Sequence, residues 1–130
     1  MSLDVSPELL AQAEAGEVDE AAFVDTVRLS LPYAYDMIAG LTTALAAGSA
    51  PFADNTEPPA TEAERGQLLR ALSSDAIRGS LERHFDVRLA FQNCHRVAVF
   101  RPADARSAAF RDFTSVRSQL LNQSPELRDC

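Results

Sequence analysis

Lysine and tryptophan are absent from the 130 residues, and cysteine occurs only at Cys94 and Cys130. Without tryptophan, and with few aromatics, the chain lacks the stacking platforms that single-stranded nucleic-acid binders use. Two cysteines are too few for the disulfide framework of a small secreted domain. No apolar run reaches the ~20 residues that cross a bilayer. Met1-Ser2-Leu3-Asp4 places an acid where a signal peptide is basic. The expectation is a cytoplasmic chain with free thiols and no membrane contact. Gly-rich phosphate loops, a Gly-x-Ser-x-Gly elbow, His-Glu-x-x-His and paired Cys-x-x-Cys spacings are missing too. Nucleotide hydrolysis, hydrolase and metalloprotease chemistry find no support, and no cofactor is expected.

What is present is apolar residues for one core and an uneven charge. A chain this long buries roughly 68% of its unfolded surface and needs no staple, so residues 1–130 are expected to form a single domain. All twelve basic residues are arginine, as GC-rich coding produces at neutral positions. Residues 1–64 carry twelve acids and one base, and residues 65–130 seven acids and eleven bases, so the net −7 is the sum of −11 and +4. In one domain the two halves should face each other in part.

The pattern predicts an α+β, mainly helical fold: five or six helices around one core, with a β-hairpin at about 87–101. Residues 1–48 form an acidic helical half. Ser6-Pro7-Glu8 opens a helix and Gly16 closes it; Asp19 opens a second. Pro32 divides the second helix from a third whose face is Met37, Ile38, Leu41, Ala44 and Leu45. Residues 49–60 hold three of the seven prolines and no periodicity, and are expected to be a loop. Residues 61–130 are the Arg-rich half. Thr61-Glu62-Ala63-Glu64 is a capping box, and Ser73-Ser74-Asp75 leaves open whether one helix or two follow.

From Val87 the period changes to two. A three-residue turn, Asn93-Cys94-His95, groups Val87, Leu89, Phe91, Val97 and Val99 on one face and Arg88, Gln92 and Arg96 on the other. A two-residue turn would mix them, so burial favours the first. After Pro102, Asp104 is expected to cap a last helix with Ala109, Phe113, Val116 and Leu120 as its stripe. Projected at about 100° per residue, Arg106 and Arg117 then share an edge of that stripe. Ser124-Pro125-Glu126-Leu127 repeats residues 6–9 and suggests a short terminal turn.

Three constellations bear on function. Cys94 beside His95, with His84 ten residues upstream, has the atoms of a thiol nucleophile and its base, without a placed third group. The same residues with Cys130 have zinc-type atoms but no chelating spacing, so no metal site is assigned. The arginines suggest a nucleic-acid face, against which stands an acidic whole with a pI of 4.7. The leading reading is a small cytoplasmic accessory or regulatory protein that binds another protein, or itself through the hairpin, and has no catalysis of its own. Its contact residues would be Phe52, Arg88, Arg96, Phe100, Arg106 and Arg117. The alternatives are a thiol enzyme or redox protein using Cys94 with His84 or His95, and an Arg-mediated nucleic-acid binder.

Overall fold

A computed structural model describes residues 2–93 and 95–123. Three helices come first, α1 (Pro7–Ala15), α2 (Glu20–Ser30) and α3 (Pro32–Ala47), followed by a short strand β1 (Phe52–Asp54). Then come α4 (Glu62–Leu72), α5 (Asp75–Phe85), the hairpin β2 (Arg88–Gln92) and β3 (Arg96–Phe100), a 3-10 turn at Pro102–Asp104, α6 (Ala108–Phe113) and α7 (Val116–Leu121). The class is α+β and mainly helical.

Local chemistry sets most of the boundaries. Ser6 Oγ accepts from the Leu9 amide, and Gly16 ends α1 at φ 89°, where glycine has no steric penalty. Thr61 and Glu64 satisfy each other's amides in the capping box. Ser74 caps α5, so residues 61–85 are two helices. Asp19 stands at the start of α2, but its side chain makes no cap bond.

Other ends are closed from a distance. The start of α3 has no local cap, and Gln67 Oε1 of α4 accepts from the Tyr33 and Ala34 amides at 2.7 and 3.2 Å. The end of α3 has no basic residue in its last turn. Arg101, just past β3, donates there to the carbonyls of Leu45, Gly48 and Ala50. A cation at a helix C-terminus satisfies orphan carbonyls and the helix dipole together.

The sheet is antiparallel in the order β1-β3-β2. Leu89 pairs with Val99, Phe91 with Val97 and Gln92 with Arg96, which is the register of the three-residue turn. Its Leu89, Phe91, Val97 and Val99 face packs into a core with Val24, Val27, Leu31, Ile38, Leu68 and Leu81 of the helices. The stretch 49–60, expected to be all loop, contains β1, which pairs Phe52 with Phe100 and Ala53 with Val99. Three residues are too few to show a period. β3 is therefore the central strand, and β2 is an edge strand with no further strand beside it among the described residues. Leu89 N on that edge donates to Glu82 Oε2 at 2.9 Å.

The opposite sheet face is also covered. Ala90, Ala98 and Phe100 form a second cluster with Phe113, Phe52, Ala109 and Phe110. Gln92, on that face, is 1% exposed. The expected last helix is broken, because Ser107 and Ser115 each cap a separate short helix. Asp104 thus lies in the 3-10 turn rather than at a helix cap. The stripe ends at Phe113, since Val116 and Leu120 are exposed. Arg106 and Arg117 no longer share one helix, so the projection that aligned them does not apply. The split also raises the count to seven helices among the described residues.

Phe100 is fully buried and packs against three phenylalanine rings at centroid distances of 5.0 to 6.1 Å. Phe100→Ala should cost about 3–5 kcal/mol in urea denaturation, whereas Val116→Ala should stay within about 0.5 kcal/mol.

Candidate functional site

The hairpin tip, the segment after β1 and the end of α7 line a cleft of about 480 Å³. Asp54, Asn55, Thr56, Pro58, His95, Arg96 and residues 121–123 line it. Asn55 builds the wall by acting as an extra rung of the sheet. Its backbone amide donates to Val97 O, its Oδ1 accepts from Val97 N at 2.8 Å, and its Nδ2 donates to His95 O at 2.7 Å and Glu57 O at 3.0 Å. β1 is thereby held to β3 beyond its three paired residues.

Arg96 donates to Asp54 Oδ2 from Nε at 2.9 Å and from Nη2 at 2.6 Å, and its guanidinium lies 5.0 Å from the centre of the Phe113 ring. Such packing suits a planar, weakly hydrated cation. His95 is 8% exposed. Burial first, and the Arg96 charge second, push its imidazole below the ordinary value, partly offset by the Asn122 side chain. Nδ1 of His95 and Nδ2 of Asn122 are buried and have no hydrogen-bond partner among the described residues.

The expected site residues are dispersed. His84 is exposed on α5, with Nε2 3.3 Å from the Tyr35 hydroxyl and its ring edge-on to Phe85. It lines a different cleft, with Glu20, Ala21, Val24 and Arg83, which shares no residue with that around His95. Cys94, Cys130 and Ser124-Pro125-Glu126-Leu127 lie outside the described residues. Among the described residues no cluster of histidine, cysteine and carboxylate ligands could hold a metal ion.

Of the expected contact residues, Arg88 lies 3.5 Å from Glu82, and Arg96 is held by Asp54. Phe52 stacks on Phe100, which is core and has no surface to offer. Arg106 and Arg117 are exposed. The acidic and basic halves meet where Arg83 pairs with Glu20 and Arg96 with Asp54, each at 2.6 Å.

Sequence reasoning missed Asp54, Asn55 and Asn122. No local signal marks them, because their partners lie across the sheet or at the far end of the chain. It also missed the inverted character of α7. Gln92 Nε2 donates to Phe113 O at 2.6 Å and to Ser118 Oγ at 2.9 Å, Gln119 donates to Asn93 Oδ1, and Asn93 Nδ2 donates to Asn122 O. The polar side of α7 therefore faces the protein. Val116, Leu120 and Leu121 face solvent at 78%, 66% and 68% exposure. Ordinary surface helices have the reverse arrangement.

Asn55→Ala removes three side-chain hydrogen bonds and leaves Val97 N and His95 O to find others. A loss of roughly 1–3 kcal/mol is expected in denaturant titration. Because the folded chain holds His95 below its ordinary pKa of about 6.5, the unfolded chain binds that proton more readily. The resulting stability is complete above the unfolded value and is lost as pH falls through it toward the folded one. The urea midpoint should drop between about pH 7.5 and 5.5, and His95→Gln should flatten the slope. The same slope in the variant would assign the effect to another group.

No curated protein and no solved structure matches this sequence. A family model described as NucS shadow ORF, under the name KH NucS shadow, matches residues 1–130. Because the match spans the whole chain, the protein belongs to the NucS shadow ORF family.

Proposed function

We propose that the chain is a small accessory protein that acts by binding another protein and carries no catalytic centre. The observation behind this is the outward apolar face of α7, three large side chains in one short helix at two-thirds exposure or more. Burying them against a partner gains roughly 25 cal/mol per Å², and α7 buries none of its own residues in the fold. The family description speaks of a reading frame and states no activity.

Thiol chemistry has less behind it, since His84 and His95 line separate clefts. The letters KH give nucleic acid no firmer footing. The Gly-x-x-Gly loop with which such modules clamp nucleotides stands nowhere in the sequence.

The test begins with detection of the chain's own peptides in the native host by mass spectrometry. The tagged chain is then used there as bait beside its Val116→Ser, Leu120→Ser, Leu121→Ser triple variant. A protein retained by the wild type should fall at least tenfold with the variant, about 1.4 kcal/mol. Cys94→Ser should leave retention unchanged. Absence of the chain, or equal retention by the triple variant, would end this reading. Loss on Cys94→Ser alone would revive the thiol alternative.

A further inference from the structure

Resting on the reading of α7 as a binding face, we propose that its occupant is the acidic N-terminal segment of a second copy of this chain. On α7, Val116 and Leu120 form one i, i+4 row and Arg117 and Leu121 the next, so the exposed strip is apolar and basic. Its surroundings have the same sign: residues 105–123 contain Arg106, Arg111 and Arg117 against Asp112 alone.

The complement is in the same chain. Residues 1–27 contain seven acids and no base. Asp4, Glu8, Glu14, Glu17 and Asp19 are exposed. Between them Val5, Leu10 and Val18 stand 46%, 52% and 48% exposed. On α1, Leu10 and Glu14 share one row at i, i+4 spacing, matching in apolar and charged character, with opposite sign, the Arg117 and Leu121 row of α7. Each copy thus carries both surfaces, and the contact either closes reciprocally or runs head to tail.

The apolar patch on α7 is on the order of 300 Å², no larger than the biggest patch of many monomers and too small by itself for a stable dimer. A weak, salt-sensitive association follows, with a dissociation constant of about 10–100 µM. Sedimentation velocity of the full chain from about 5 to 200 µM, in about 20 mM and 500 mM salt, reads it directly. The expected result is reversible association at low salt that weakens at high salt. Arg117→Glu and Leu120→Ser should each weaken it at least fivefold, and Glu14→Arg combined with Arg117→Glu should recover most of the loss. Circular dichroism should be unchanged, since neither α1 Glu14 nor α7 contributes to the buried clusters. A monomer at every concentration would overturn the proposal, as would association indifferent to Arg117→Glu and Leu120→Ser, or no recovery in the charge-swapped double variant. If self-association fails while the serine triple variant still loses a captured protein, only this inference falls. If self-association holds while nothing else is captured, the accessory reading falls and this one stands.

Discussion

Val97, Ala98, Val99 and Phe100 are all fully buried, so β3 needs a cover on both faces and a partner on both edges. Successive residues of a strand point to opposite faces, and each face of this one therefore has its own apolar cluster. Helices α2 to α5 close one face, and the phenylalanines of α6 with Phe52 close the other. β2 takes one edge, while the other falls to β1, three residues extended by the side chain of Asn55. Even the end of α3 is tied to this strand, through Arg101 immediately after it.

The electrostatics follow from that packing. The two oppositely charged halves meet at a few places where the fold brings an arginine beside a carboxylate. The Asp54–Arg96 pair is half-buried, over the Phe113 ring and beside His95, and there solvent screens least. The exposed Arg28–Asp25 and Arg78–Asp75 pairs are local helix contacts of small worth. A net charge summed over the chain conceals this division between structural and solvent-facing charges.

α7 differs from the other helices in what holds it. Its attachment runs through Gln92, Asn93, Ser118 and Gln119 rather than through buried apolar area. Regions with few buried contacts open at low free-energy cost. The segment that displays the apolar strip is held by polar contacts and not by the core.

Much of the fold was legible in the sequence where the cause is local. Ser6, Gly16, Pro32 and the Thr61–Glu64 box set helix ends through atoms three or four residues away, and a one-residue slip would have turned Leu89, Phe91, Val97 and Val99 away from the helical core. Three things were not legible: β1 inside the proline-bearing stretch, the second buried face, and the break before α7. The first two depend on partners 21 to 42 residues distant, as Gln92 depends on Phe113 and Asp54 on Arg96, whereas the break rests on the Ser115 cap, whose signal the continuous apolar spacing masked. The amino-acid sequence by itself determined the class, most helix boundaries and the hairpin register, because periodicity and capping act within one turn or one rung. Only the tertiary structure decided which strand became central, which arginines were neutralised and which side of α7 met water, because packing competes for apolar surface across the whole chain.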